Sequence, residues 1–260
     1  MDYWMYPAVI LAGLAAGFIN TLAGSGSLIT LSLMSFLGIP LDIANGSNRV
    51  GVLFQNITGI GSFQQKGLID WRGGLMLAVP AMIGSFIGAR IAADLNEEVL
   101  SIALGIVMVV MLIVILVNPK RWLEGTLEEF DGRPSVTQLG AFFLIGIYGG
   151  FIQAGVGIFL LAGLVLNAGY NLVRANAVKM LINMLFTAVA LTVFIMNDQV
   201  NWQIGILLAI GNVAGAWIAA RMAVERGAEF VRYVLIAVVL ISAIRFLGIG
   251  SFVMQLLGSG

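Results

Sequence analysis

Ten apolar segments occupy most of this chain, and they restrict the folds that it can adopt. They cover residues 5–20, 26–37, 43–63, 72–93 and 97–117, and then 136–153, 157–168, 172–196, 202–222 and 228–249. The segments do not alternate with a period of two, and lipid admits only helices or closed barrels because all backbone polar groups must be satisfied internally. Since 60% of the residues are hydrophobic and only 10% are charged, a water-soluble surface is excluded. The sequence therefore predicts an all-α polytopic membrane protein.

The two halves of the chain carry the same motifs in the same order. At a shift of 131 residues, AGSG at 23–26 matches AGVG at 154–157, Gly38 matches Gly169, Asp70-Trp71 matches Asn201-Trp202, and GSFIGAR at 84–90 matches GAWIAAR at 215–221. The last pair has the small-xxx-small spacing that is typical of helix packing. We infer an internal duplication, with a first transmembrane repeat at 1–117, a cytoplasmic connector at 118–135 and a second transmembrane repeat at 136–260.

Each repeat holds five segments, so the second repeat should be inverted in the membrane. With the N-terminus outside, nine of the thirteen basic residues fall in inner loops and two on the outer side, as cytoplasmic loops require. We therefore expect both termini outside the cytoplasmic membrane of a prokaryote. Segment 26–37 would be roughly 18 Å long, which is shorter than the hydrocarbon core. The start of each repeat is therefore predicted to be either a broken span or a re-entrant hairpin.

Gly-rich polar strings interrupt the beginning of both repeats, at 20–27 and at 153–157. Non-helical backbone at membrane depth is tolerated only where it is buried in protein or lines a wet cavity. Interrupted segments at corresponding places in inverted repeats indicate the binding site of a transporter. The N–H groups of the helices that follow would favour an anion. A role of these glycines in helix packing alone also stays open.

The segment after each interruption carries a cation on or beside a stripe of amides. Asn176, Lys179 and Asn183 share one helical face, and Arg49 accompanies the matching stripe of the first repeat. An intramembrane cation costs about 2.5–3.5 kcal/mol on insertion scales and usually has a partner or a function. All acidic residues lie near segment ends or in loops, so we expect the substrate to supply the negative charge. Amides that only join helices, and cations that snorkel to the interface, are the alternatives. The predicted substrate-binding residues are Asn20, Ser25, Ser27, Asn45, Asn48, Arg49, Asn56, Gln153, Asn176, Lys179 and Asn183.

The residue inventory narrows the classes of function. The chain has no cysteine and no histidine and has zero net charge, so we expect no metal, no cofactor, no enzymatic activity and no nucleic-acid partner. The expected partners are a small anionic substrate and the lipid bilayer, and a homo-oligomer stays open. A transporter that works by alternating access is the first hypothesis. An anion channel or uniporter is the alternative.

The order of these motifs resembles the TauE/SafE family of sulfite exporters, also called toluene sulfonate uptake permeases. The resemblance rests on GFINTLAGSGS, IPLDIANGSNRV, QQKGLIDWRGG and IGSFIGAR in the first half, and on GFIQAGVGIF, LVRANAVKMLIN, QVNWQIG and AGAWIAAR in the second. The family's glycine triplet is Gly26-Ser27-Leu28 here. The resemblance implies transport of a small sulfur-containing anion such as sulfite, sulfoacetate or another sulfonate.

Overall fold

The computed structural model describes residues 5–95, 99 and 134–246, and the regular elements in this part of the chain are all helical. The helices before residue 96 are α1 Met5–Leu22, α2 Ser27–Phe36, α3 Leu41–Gln64 and α4 Trp71–Asp94. Those after residue 133 are α5 Val136–Phe151, α6 Val156–Ala162 with a π-helical continuation at Gly163–Asn167, α7 Leu172–Met196 and α8 Trp202–Phe246, which Gly227 interrupts. The all-α class is thereby confirmed. The predicted segment 97–117 and connector 118–135 lie almost entirely outside the described residues.

Four of the described helices have the length and hydropathy of membrane spans. They are α1, α4, α7 and the part of α8 at Trp202–Gly227. Helix α3 has 24 residues, or about 36 Å, but it carries the amide stripe and is less apolar. Helix α2 has 10 residues, or about 15 Å, and reaches only half of the hydrocarbon thickness. The chain is thus a multi-pass membrane protein with short helices next to the interruptions.

The matched motifs of the two halves adopt matching backbone conformations. Residues with positive φ recur 131 positions apart: Gly24 and Gly155, Gly38 and Gly169, and Gly67 and Asp198. Helix N-caps recur in the same way, because the side chain of Asp70 accepts from the N–H of Gly73 and that of Asn201 from the N–H of Ile204. The duplication inferred from sequence therefore has a counterpart in the local structure.

The most extensive helix contacts run between the halves. Helix α1 packs on α8, and α4 packs on α5. Glycines permit this close approach: a Cβ on Gly17 would overlap the backbone of Asn212, and one on Gly84 would overlap the backbone of Phe143. Helix α8 also packs on α3, helix α4 also packs on α7, and α3 meets α7 in the centre. The small-residue motifs thus serve helix packing, as their spacing indicated.

Candidate functional site

The two interruptions lie against each other inside the protein. The N–H of Gly157 donates a hydrogen bond of 3.1 Å to the carbonyl oxygen of Gly24. A Cβ on either residue would overlap the other, and Gly24 also has a φ of 84°. A glycine is required at both places, because a side chain would separate the two backbones. The residues around this contact are the interior of the candidate site.

Lys179 is buried and holds the end of a helix from the other half. Its Nζ atom donates to the carbonyl oxygens of Asn20 and Thr21, each at 2.9 Å, and to Oδ1 of Asn176 at 2.6 Å. The two carbonyls belong to the last turn of α1, where a helix has no N–H groups left to satisfy them. Lys179 thus makes a helix-end contact from α7 to α1.

Arg49 makes the reciprocal helix-end contact from α3 to α5. Its Nη1 and Nη2 atoms donate to the carbonyl oxygens of Gly149 and Gly150 at 2.9 Å and 2.6 Å. Its guanidinium lies 4.7 Å from the ring centroid of Phe194. Arg49 and Lys179 are 0% and 1% exposed, so neither side chain snorkels to the interface. Both cations thus donate to backbone carbonyls of the opposite half, and each also donates to an asparagine oxygen of its own helix.

Side-chain amides fill the space between the helix-end contacts. In the first half, Nδ2 of Asn20 donates to Oε1 of Gln55 and to Oγ of Ser27, both at 3.3 Å. In the second half, Nε2 of Gln153 donates to Oδ1 of Asn183 at 3.3 Å and to Oγ1 of Thr187 at 2.6 Å.

A weak hydrogen bond joins the amides of the two halves. It runs from Nδ2 of Asn183 to Oδ1 of Asn56 and measures 3.4 Å. Because these amides also link α3 to α7, the interpretation of the stripe as interhelical contact holds for this pair.

All eleven predicted substrate-binding residues are buried. Asn20 and Ser27 lie near Lys179 and Asn176. Asn45 lies near Arg49. Gln153 lies close to Asn183, which in turn contacts Asn56. Asn48 accepts from Oγ1 of Thr30 at 2.7 Å. Ser25 lies in the first interruption, where its carbonyl accepts from the N–H of Leu28.

The site contains more unpaired hydrogen-bond donors than acceptors. Buried donor atoms without a hydrogen-bond partner in the protein are Asn48 Nδ2, Arg49 Nε, Gln55 Nε2, Asn56 Nδ2 and Asn176 Nδ2. The unpaired acceptor among the same group of residues is Oε1 of Gln153. The buried polar residues of the described ranges include no Asp or Glu. Such a surface complements a ligand that accepts hydrogen bonds and carries negative charge.

Two buried amides of this region are absent from the predicted set. Gln55 adjoins Asn56 on α3 and lies beside the predicted amide stripe. Asn212 is 0% exposed on α8, and both its Nδ2 and its Oδ1 are unpaired. The available signal for Asn212 was a lone amide inside an otherwise apolar stretch of α8.

Comparisons with known proteins give a family and several transporters. The model of a family described as sulfite exporter TauE/SafE matches residues 9–246. A probable membrane transporter protein of Sinorhizobium, ORF9, is 29% identical over 92% of this chain and 91% of its own length. The probable membrane transporter protein YfcA of Escherichia coli K12 is 24% identical over 88% of this chain and 85% of its own. A probable membrane transporter protein of Haemophilus influenzae is 23% identical over 85% and 86%. No solved structure matches.

Proposed function

The chain belongs to the TauE/SafE sulfite exporter family, and from this membership we propose that it is a secondary transporter of a small sulfur-containing oxyanion. Sulfite, sulfoacetate or another sulfonate would cross the cytoplasmic membrane by alternating access. The family description supports the sulfur chemistry. The surplus of buried unpaired donors between the two interruptions is the observation that carries the proposal.

The donor surplus favours an anion with several oxygen atoms. A buried donor without a partner costs about 1–3 kcal/mol, and five such donors are found among the site residues. A cationic ligand that only donates hydrogen bonds could not satisfy them. A sulfite or sulfonate group offers three oxygen atoms, each with lone pairs in several directions, so one ligand can engage donors from both halves.

The two buried cations favour the same class of ligand. Arg49 and Lys179 donate to carbonyl oxygens and amide oxygens, which are dipolar but carry no net charge. A buried charge without a counter-charge is costly in a medium of low dielectric constant. A bound anion supplies that counter-charge, and its release on either side of the membrane restores the unbalanced state.

Alternating access requires contacts between the two halves that can break and form again, and the helix-end contacts are of this kind. One contact joins Lys179 on α7 to the last turn of α1, and the other joins Arg49 on α3 to the last turn of α5. An anion that draws Lys179 or Arg49 away from a carbonyl would weaken one of these helix-end contacts. We retain the orientation with both termini outside, in which the two interruptions approach mid-membrane from opposite faces.

Uptake of sulfite or sulfoacetate into proteoliposomes tests the proposal. Lys179→Met should reduce uptake by at least tenfold, because it removes a buried charge from the site. Lys66→Met changes an exposed lysine of the α3–α4 loop and should leave uptake unchanged. Undiminished uptake by Lys179→Met, with normal folding by circular dichroism, would remove this lysine from the site. Flux that never saturates with substrate would indicate the channel instead.

A further inference from the structure

Asn212 lies where helices from both halves meet. Its Nδ2 atom faces Gly51 of α3 so closely that a Cβ on Gly51 would overlap it. Gly17 of α1 lies against the backbone of the same asparagine. Gly51 thus makes room for the side-chain amide and Gly17 for the backbone of Asn212, although the amide has no hydrogen-bond partner in the protein.

Two further amides flank Gly51 on α3. Asn48 precedes Gly51 by three residues and Gln55 follows it by four, so both lie on the face of α3 that Gly51 occupies. The oxygen atom of each amide is engaged, that of Asn48 by Thr30 at 2.7 Å and that of Gln55 by Asn20 at 3.3 Å. Their nitrogen atoms stay unpaired. Three unpaired amide nitrogens therefore belong to residues that adjoin Gly51, two on its own helix face and, for Asn212, one across from it.

The second half has no equivalent arrangement. At the shift of 131 residues the matching positions hold Lys179, Ile182, Phe186 and, for Asn212, Ala81. Gln55 and Asn212 thus have no hydrogen-bonding equivalent in the other half, whereas Lys179 takes the place of Asn48. Packing does not require an amide at the places of Gln55 and Asn212, because a buried phenylalanine and a buried alanine stand at the equivalent places.

We propose that Asn48, Gln55 and Asn212 form an amide pocket that binds the oxygen atoms of the transported anion, and that Gly51 keeps the pocket open. This inference rests on the proposed function and adds to it a place for the ligand, between α3 of the first half and α8 of the second. Asn212 is then a substrate-binding residue that the opposite repeat contributes. Three of the four unpaired polar atoms of these residues are donors, so the pocket favours a ligand that is rich in acceptors.

The test is a thermal-shift titration of the purified protein with sulfite and with sulfoacetate. Asn212→Ala introduces the residue that the other half has at this position, so we expect it to fold. Because it removes an unpaired buried amide, the midpoint without ligand should stay the same or rise. The dissociation constant of the anion should rise about tenfold or more, since one hydrogen bond to a charged ligand is lost.

A pair of glycine variants provides the matched control. Gly51→Ala places a methyl group against the Asn212 amide and should also weaken anion binding at least tenfold. Gly61→Ala lies on the same helix with nothing within 4 Å of the added carbon, and its affinity should equal that of the wild type.

The outcomes separate the two proposals. An unchanged dissociation constant in Asn212→Ala overturns the amide pocket, and so does a lower midpoint without any loss of affinity, which indicates a structural role only. A wild-type protein that responds to neither anion contradicts the proposed function itself.

Discussion

At the scale of single residues, Gly24 combines a positive φ with a close backbone contact. Gly38 and Gly157 each have one of these two features. Gly24 has a φ of 84° and it touches Gly157. Gly38 has a φ of 74°, but nothing lies within 4 Å of an added Cβ. Gly157 makes the close contact without a positive φ. The free energy lost by placing a side chain at positive φ and that lost by breaking the close contact can therefore be measured separately.

Alanine substitutions at these three positions should rank accordingly. Gly38→Ala should cost about 1–2 kcal/mol of unfolding free energy, because a side chain is disfavoured in the left-handed region. Gly157→Ala should separate the two interruptions and lose uptake, and Gly24→Ala should suffer both effects and be the least stable. Chemical unfolding in detergent and an uptake assay measure the two quantities. Equal stability of Gly24→Ala and Gly38→Ala would mean that the contact with Gly157 carries no energy.

The sequence predicted the burial of the polar residues but not their partners. Spacing along a helix shows that Asn176 and Lys179 share a face, since this depends on one helix only. The carbonyl partners of Lys179 lie 158 and 159 residues away, and backbone carbonyls leave no mark in the identity of a residue. These carbonyls carry no net charge, so the expectation that the substrate supplies the negative charge stays a prediction. The role of Asn212 was not predicted either, because its neighbours belong to α1 and α3, which are distant in the sequence.

At the scale of helices, the apolar pattern predicted the elements closely. The segment 172–196 coincides with α7, and 43–63 lies within α3 Leu41–Gln64. The segment 157–168 is correct in extent but contains the π-helical turn Gly163–Asn167, which ends with a hydrogen bond from the N–H of Ala168 to the carbonyl of Gly163. Hydropathy could not show this turn, because an extra residue inside a continuously apolar run does not change the pattern.

The N-cap of α4 is a second feature of this scale, and it gives a pH-dependent prediction. Burial opposes ionisation of Asp70, but hydrogen bonds from the N–H of Gly73 and the hydroxyl of Tyr170, together with the charge of Arg174, outweigh it and lower the pKa of this carboxyl. A lowered pKa means that the carboxylate stabilises the folded state above its unfolded pKa of about 3.9, and that this contribution is lost as the pH falls through the folded pKa.

Asp70→Ala should therefore lower the free energy of unfolding at pH 7 by about 1 kcal/mol. The difference from the wild type should shrink below about pH 4, when the carboxyl is protonated in the folded protein too. Asp70→Asn is the control, since Asn201 caps α8 with the same amide group. Unfolding midpoints measured between pH 3 and pH 7 check both variants. A difference that is the same at every pH would contradict the role of the charge.

At the scale of the whole molecule, the packing assigns the helices to two bodies that each draw on both halves. One body contains α1, α3 and α8, and the other contains α4, α5 and α7. The contact of α3 with α7 and the two helix-end contacts connect the bodies. If the transporter alternates, we expect these bodies to move, and the boundary between the sequence halves is then not the boundary of motion.

Engineered disulfides can test this division, because the chain has no cysteine of its own. Gly59→Cys with Met180→Cys would join α3 to α7, since a Cβ on Gly59 points at the Met180 side chain. Oxidation of this pair should stop uptake, and reduction should restore it. Gly74→Cys with Val178→Cys joins α4 to α7 inside one body, where a Cβ on Gly74 would lie 3.4 Å from Cγ1 of Val178. Its oxidation should leave uptake intact, and loss of uptake in both pairs would contradict the two bodies.

The pairing of α1 with α8 also has a consequence for how the protein is made. The ribosome synthesises α1 first among these helices and α8 last, and the glycines of α1 find their packing partner only when α8 has entered the bilayer. Until then the closest-packing face of α1 is not covered by α8, whereas Lys179, on α7, can reach the two carbonyls at the end of α1 one helix earlier. The packing of the first described helix is therefore complete only when the last described helix is in place.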